Sequence, residues 1–423
     1  MLAKDQLGER SLGRRAIRVG LVMDGSRRHY DVAKALHAFG SLETMYCDAY
    51  TSPRSFQRFA AGLLKRVSPS LGKKFLERFT SDIPASKTRS NSFLVLRAVL
   101  AKNRFTTQEE YWQWLSKKTK EWIVREGFGE CNSLYGFIRN MDPELCKIAL
   151  NTGLTVLGEQ MIAPAAIEKL EAESQQERWP GWELPSLSGS FSRVEDIERA
   201  TWEKTTRIVA PSSYVANGLA SQGVSLEKID LVPYPAEFAS LRYVDRSDRN
   251  TTLTVGFVGQ INLRKNAPVF LQIAKRMHND NLRFVMVGKN YLAHKIIMDY
   301  SPYVTFTGPI PRSDVASKLY GFDLFFFPST CEGSAGVVLE AMATGLPVIT
   351  TPNSGTLIED GVDGFVCNPD EIEVFIDRIE KLLADKAMRI RFGVAAAEKV
   401  KGLTLENYGT ELVASFRESM PLA

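Results

Sequence analysis

Twice in this chain a short, β-rich apolar run ends in a glycine-containing turn and gives way to a helical pattern. The first instance is Ala16–Met23 (AIRVGLVM), followed by Asp24-Gly25-Ser26. A helix then begins near Asp31, with Val32, Ala35, Leu36 and Phe39 in phase and Gly40 placed as a helix stop. The second is Leu253–Val258 (LTVGFV), then a turn over Gly259–Asn266, then a helix over Ala267–Met277 with Phe270, Ile273 and Ala274 inward. Parallel strands need a crossover, and a helix supplies it, so this pattern opens a parallel α/β sheet. Its restart in the second half predicts two Rossmann-like, doubly wound domains facing a cleft. Open parallel sheets bind ligands at the carboxyl ends of their strands.

Further elements fit that plan. In the first half Leu42–Ala49, Ser133–Phe137, Leu154–Leu157, Arg207–Ala210 and Ile229–Val232 read as strands. Residues 236–252 are polar and charged and read as a linker. In the second half Arg283–Val287, Val304–Thr307, Leu324–Phe327, Pro347–Thr350 and Gly364–Cys367 read as strands. Helices are expected over Val315–Tyr320, Ala335–Met342, Ile372–Ala384, Lys386–Lys399 and Leu405–Ser419. The expected domains are residues 1–235 and 236–403, with 404–423 as a helix returning to the first.

Composition narrows the class. No apolar run reaches the ~18 residues a membrane span needs, and the first residues lack the apolar core of a signal peptide. Five cysteines are scattered without C-x-x-C spacing, as in a reduced, cytoplasmic protein rather than a disulfide or zinc scaffold. The net charge of +4 is mild, but residues 54–104 hold twelve basic and two acidic residues. That asymmetry marks the segment more than the total does.

The stretch STCEGSAGVVLEAMATGLPVITT (329–351) places two acids, Glu332 and Glu340, eight residues apart in an apolar, glycine-rich setting. The run Gly333–Gly336 leads into a helix, whose free N–H groups and partial positive charge suit a pyrophosphate. An acid on an Ala/Val/Leu/Met face needs a partner. Upstream, Arg264 and Lys265 follow the first strand of this half, where cations can neutralise a leaving diphosphate.

Read in order, GFVGQINLRKNAP and VTFTGPIPRSDVASKLYGFDLFFFPSTCEGSAGVVLEAMATGLPVITTPNSGTLIEDGVDGFV resemble the nucleotide-sugar half of the retaining GT-B glycosyltransferases of family 4 (glycosyl transferases group 1). The Glu332/Glu340 spacing is that family's E-x7-E motif. The resemblance is good over about 205–400 and weaker before it. It implies that Glu332 steadies the sugar, that Arg264 and Lys265 meet the diphosphate, and that Glu340 takes the ribose hydroxyls. It places Gly259, Ser334, Ala335, Gly336 and Val337 at the donor, and the backbone of Gly308 and Ile310 beside the base. On the acceptor side it points to Gly25, Ser26 and, at the end of a strand-like run, Glu159. Gln260 and Pro235 depart from the family's arginine and glycine, and Ala335 from its usual glycine or proline. No D-x-D triplet occurs, so no metal and no resident cofactor are expected; the donor is a UDP-, GDP- or dTDP-sugar.

Within 54–104, SFQRFAAGLLKRV sets Phe56, Phe59, Leu63 and Val67 on one helical stripe. Three readings stay open: docking to an anionic membrane surface, a core helix with a solvated basic face, or a groove for an anionic acceptor. Nucleic acid is not expected, because no recognition motif accompanies the charge. The resemblance therefore implies a cytoplasmic, metal-independent hexosyltransferase, peripheral at the membrane under the first reading. Its partners would be a nucleotide sugar and a saccharide or lipid-linked acceptor in bacterial surface polysaccharide synthesis. The alternative is a membrane-associated pseudo-glycosyltransferase scaffold, which would not need to keep Glu332, Glu340 and Lys265.

Overall fold

Short, mostly apolar runs of four to six residues form the centres of two parallel sheets in the computed structural model. It describes residues 16–52, 56–67, 72, 75–76, 78–101, 104–105, 108–183, 191–236, 241–247 and 252–420. Arg54, Lys73, Lys74, Glu77 and Lys102 of the basic segment, and the side chains of Phe56 and Val67, lie outside the description.

The first sheet contains β1 (Val19–Met23), β2 (Leu42–Cys47), β3 (Thr88–Ser90), β4 (Ser133–Phe137), β5 (Thr155–Glu159), β6 (Arg207–Ala210) and β7 (Ile229–Leu231), in the order β3-β2-β1-β4-β5-β6-β7. From β3 through β6 every neighbouring pair is parallel. The second contains β8 (Leu253–Val258), β9 (Leu282–Val287), β10 (Val304–Phe306), β11 (Leu324–Phe327), β12 (Val348–Thr350) and β13 (Gly364–Val366). Its order is β10-β9-β8-β11-β12-β13, parallel throughout. In both sheets the order reverses beside the first strand, between β1 and β4 and between β8 and β11. These reversals are the switch points at which doubly wound sheets hold ligands.

The chain divides into two compact units. One holds residues through Glu159, Ile197–Val209 and the chain from Tyr408 on; the other holds Gln160–Asp196 and Ala210–Asn407. Residues 160–196 thus group with the second unit, although they precede the 236–252 segment in sequence. That segment is itself fastened down where it is described. The Arg246 guanidinium donates to the carbonyls of Phe322, Thr344, Leu319 and Val244.

In the first unit, the helix Leu405–Ser419 buries Tyr408, Leu412, Val413 and Phe416, and the Phe416 ring lies 5.8 Å from that of Tyr135. The helix Asp31–Ala38 ends one residue before Phe39, which caps it and is partly exposed. Arg28, His29 and Tyr30 take left-handed backbone conformations in succession (φ 46°, 51° and 66°), a costly run for side-chain-bearing residues. Tyr30 is buried with its ring edge-on to Tyr50 at 5.9 Å, which holds the run in place. In the second unit, Phe257, Phe270, Phe325, Phe326, Phe327 and Phe375 stack through the sheet and its covering helices. This packing gives the loops at the carboxyl ends of β8 and β11 a rigid base.

Candidate donor site

The loops after β8 and β11 are adjacent because their strands pair directly. They are also laced together. The Arg264 carbonyl accepts the Thr330 N–H at 3.0 Å and the Thr330 hydroxyl at 3.1 Å. Asn353 Nδ2 donates to the Thr330 carbonyl at 2.8 Å, and the Glu332 N–H donates to the Asn353 carbonyl at 2.9 Å.

This lacing seats Glu332, which is only 8% exposed. Its Oε1 accepts from Arg264 Nη1 at 3.0 Å, from Ser329 Oγ at 2.7 Å and from Lys265 Nζ. Among the described residues these three donors all converge on one oxygen, Oε1. Glu332 is therefore a buried acid held by two cations, not a solvated loop residue. Arg264 also donates to the Cys331 carbonyl at 2.7 Å, and the Lys265 ammonium sits 5.1 Å from the centre of the Phe327 ring. Burial lowers the Lys265 pKa below the usual lysine value; Glu332 opposes that shift and Arg264 adds to it. Burial pushes the neighbouring Cys331 thiol up to about 12, which keeps it protonated and out of nucleophilic chemistry.

Glycines let these backbones meet. A Cβ on Gly288 would stand 1.8 Å from the Gly259 carbonyl oxygen, and Gly288 N–H donates to the Gly308 carbonyl at 3.1 Å. The turns after β8, β9 and β10 are thereby joined, and Gly259, Gly308 and Ile310 share one end of the sheet. A Cβ on Gly333 would meet the Met161 carbonyl oxygen at 1.7 Å, and one on Gly355 would meet the Gly333 carbonyl oxygen at 2.0 Å. That Gly333 carbonyl accepts the Ser212 hydroxyl at 2.5 Å.

The helix Gly336–Ala343 follows, and no side chain caps its first turn. Ala335 N–H is satisfied by the Ser354 carbonyl at 3.0 Å. The N–H groups of Gly336 and Val337 open the helix, Gly336 is exposed and a Cβ there would meet open space. An uncapped, accessible helix start of this kind suits a phosphate. Glu340 stands on the next turn, 9% exposed, with its carboxylate gripped by the Arg312 guanidinium. Ser334, Ala335, Gly336, Val337 and Glu340 thus gather on the same end of the second unit as Glu332, Arg264 and Lys265.

One contributor had no signal in the sequence. Glu183 Oε2 accepts the Leu263 N–H at 2.8 Å, inside the loop that carries Arg264 and Lys265. Its own segment is anchored by Trp182, whose carbonyl accepts Ala293 N–H at 2.7 Å, and by ring contacts from Trp182 to Trp179 and Tyr300. Burial raises the Glu183 pKa; the Leu263 N–H and the Arg264 charge oppose it.

The residues expected on the acceptor side, Gly25, Ser26 and Glu159, belong to the first unit. Gly25 (φ 65°) closes β1, and its N–H donates to Asp48 Oδ1 at 3.0 Å. The Ser26 carbonyl accepts His29 N–H at 3.0 Å. Beside them, Asp24 accepts from Asn140, Arg27 donates to Asn140 at 3.2 Å, and Arg78 pairs with Asp48. Glu159 stands elsewhere, 1% exposed at the end of β5, where the Tyr135 hydroxyl donates to it at 2.5 Å. It is a buried strand acid rather than a loop acid.

Residues 252–385, which contain the loops after β8 and β11, match the profile of the family described as Glycosyl transferases group 1. The fold is that of the GT-B glycosyltransferases. Sucrose-phosphate synthase from Thermosynechococcus elongatus superimposes with a TM-score of 0.66 at 15% identity, over 95% of this chain and 98% of that one. Anabaena HepE, solved with UDP and glucose, gives 0.59 at 12% identity over 94% and 98%. At these identities the likeness is one of fold.

Among curated proteins, the chain is 30% identical over 143 residues to the UDP-Gal:alpha-D-GlcNAc-diphosphoundecaprenol alpha-1,3-galactosyltransferase of Escherichia coli, covering 31% of this chain and 37% of that protein. It is 28% identical over 250 residues to the D-inositol 3-phosphate glycosyltransferase of Paenarthrobacter aurescens, covering 54% and 61%. The chain thus spans between about a third and three fifths of the length of these relatives.

Proposed function

We propose that this protein is a retaining glycosyltransferase that moves a hexose from a nucleoside diphosphate sugar to a saccharide or glycolipid acceptor without a divalent ion. The observation that carries the reading is the convergence of Arg264, Lys265 and Ser329 on Glu332 Oε1, at a sheet switch point and beside an uncapped helix start. In this reading the two cations and the helix N–H groups face the diphosphate and stabilise it as it leaves. Glu332 Oε2 faces the sugar, and Glu340 the ribose. The bond from the anomeric carbon to the phosphate oxygen breaks, and a bond to the acceptor oxygen forms on the same face. The acceptor proton passes to the departing phosphate oxygen, so no protein base is required. The expected location is the cytoplasmic side of a bacterial membrane.

Relatives support the substrate class. The Escherichia coli protein is named for UDP-galactose and a diphosphoundecaprenol-linked acceptor, and a Staphylococcus aureus relative for capsular polysaccharide biosynthesis. A membrane-borne acceptor also agrees with the helix Phe56–Val67. Phe59 is 63% and Leu63 45% exposed, beside exposed Lys65 and Arg66. Of the three readings left open by the sequence, these exposed apolar side chains favour the membrane surface over a core helix. No helix among the described residues is long and apolar enough to cross a membrane.

The test is thermal shift against UDP-, GDP- and dTDP-sugars, with and without EDTA, followed by NMR of the product's anomeric configuration. Ligands that bind only the native state raise its apparent stability. Stabilisation by one nucleotide class that survives EDTA, and a product with the donor's anomeric configuration, are expected. An EDTA-sensitive shift, an inverted product or no shift with any donor would overturn the corresponding part.

A further inference from the structure

Arg312 stands in the loop after β10, directly after Pro311, and opens the short 3-10 turn Arg312–Asp314. Its guanidinium forks Glu340: Nη1 donates to Oε2 at 2.8 Å and Nη2 to Oε1. The exposures of the two partners are opposite. The Arg312 side chain is 69% exposed, whereas that of Glu340 is 11% exposed. The arginine reaches inward from solvent to an acid on the helix that opens at the donor site. Among the described residues no other side chain donates to the Glu340 carboxylate.

A pair with so exposed a cation adds little to folding. What the fork does is geometric. Two parallel N–H bonds fix the plane of the carboxylate and occupy one lone pair on each oxygen. The remaining lone pair on each oxygen can accept a hydroxyl, and two neighbouring hydroxyls on one ring match two oxygens of a fixed carboxylate. The prolines on either side of Ile310 (Pro309 and Pro311) restrict the loop that delivers the guanidinium.

We infer that Arg312 is a positioning residue for nucleoside recognition: by forking Glu340 it aims that carboxylate at the ribose diol of the donor. The protein thereby favours ribonucleoside over 2′-deoxyribonucleoside diphosphates. This rests on the donor-site reading above, in which Glu340 faces the ribose. A lysine cannot replace the fork, because an ammonium is a single point of charge.

The test is calorimetric binding of UDP against 2′-deoxy-UDP, and of GDP against 2′-deoxy-GDP, to the full chain and to Arg312→Ala, Arg312→Lys and Glu340→Gln. The wild type should prefer the ribo form by about tenfold, equivalent to ~1.4 kcal/mol. Arg312→Ala should cut that preference to about twofold, by weakening the ribo form and sparing the deoxy form. Arg312→Lys should fall between and, because it keeps a counter-charge beside the buried Glu340 carboxylate, should hold its unfolding midpoint closer to wild type than Arg312→Ala. A preference retained in Arg312→Ala but lost in Glu340→Gln would overturn the role of Arg312 alone. Tighter ribo binding in Arg312→Ala would also overturn it, by showing that the arginine competes with the ribose. A preference retained in Glu340→Gln, or no binding of any of the four nucleotides to wild type, would overturn the donor-site reading and this inference with it.

Discussion

Glu183 accepts the backbone N–H of Leu263 at 2.8 Å, and so ties an acid from before the 236–252 segment to the loop that presents Arg264 and Lys265. The bond has no counterpart in local sequence. It makes the Arg264–Lys265 loop depend on a strap formed by Trp179, Trp182 and Glu183.

Replacing Glu183 with Ala should leave the Leu263 N–H unpaired, a loss of ~1–3 kcal/mol when a buried donor loses its partner. Nucleotide-sugar KM should rise about tenfold with a smaller change in kcat. Glu183→Gln retains a carbonyl acceptor and should stay within about threefold of wild type. Steady-state kinetics of the two variants check this, and equal losses in both would show that charge, not the bond, matters.

Glu332→Gln keeps the shape but removes the charge on which two cations converge. Transfer should fall by ~10²–10³, the scale seen when one electrostatic contact to a transition state is lost. Stability should fall as well, because Lys265 and Arg264 lose a buried counter-charge, with ~3–5 kcal/mol as the scale for breaking a buried pair. Wild-type transfer rates in this variant would sink the role assigned to Glu332.

Asp24 has its pKa raised, first by burial and then by the Asp48 charge beside it. A carboxyl with a raised folded-state pKa contributes stability that is fully present below the unfolded value of ~3.9 and is lost as pH rises through the folded value. Asp24→Asn removes that loss. The melting temperature of the variant relative to wild type should therefore climb between pH 4 and pH 8. Parallel melting curves that do not diverge with pH would contradict the shift.

Gly288→Ala should destabilise the second unit by ~2–3 kcal/mol, because its Cβ would stand 1.8 Å from a carbonyl oxygen. Gly308→Ala meets open space at a left-handed φ of 73° and should cost only ~1 kcal/mol. Gly288 also has a positive φ, of 145°, so the difference between the denaturant midpoints of the two variants reads what the steric contact adds to backbone strain.

Phe59→Ser with Leu63→Ser should abolish most binding to vesicles that contain anionic lipid while leaving the melting temperature within a degree or two, since both side chains are already in water. Lys65→Gln with Arg66→Gln should weaken binding in a salt-dependent way. Unchanged sedimentation with vesicles in both pairs would remove the membrane reading.

Where the sequence carried strong periodicity, it located elements to the residue. β8, β11 and the helices Val315–Tyr320, Ile372–Ala384 and Leu405–Ser419 coincide with expectation. The loops bearing Arg264, Lys265, Glu332 and Glu340 were legible because the chemistry of each is written within a dozen residues. The first half was less so. β3 is three polar residues, Thr88–Ser90, defined by pairing with β2 rather than by any pattern of its own. The helix Gln108–Glu126 is too polar to show an apolar stripe. The helix Pro143–Asn151 does carry a local signal: Asp142 caps it by accepting Glu144 N–H at 2.9 Å, with Pro143 in the first turn. Glu183 and Arg312 could not be read, because their partners lie 80 and 28 positions away.

The contact at Gly333 has a consequence for how Glu332 is held. The Met161 carbonyl stands where a β-carbon on Gly333 would be, and the Gly333 carbonyl stands where one on Gly355 would be. Glu332 is the very next residue back, one Cα–Cα step of about 3.8 Å away. Two stretches remote in sequence thus act as a calliper on the acid, with no compressible side chain between jaw and workpiece. A β-carbon added at Gly333 or Gly355 along that line would be read out as a displacement of the carboxylate itself.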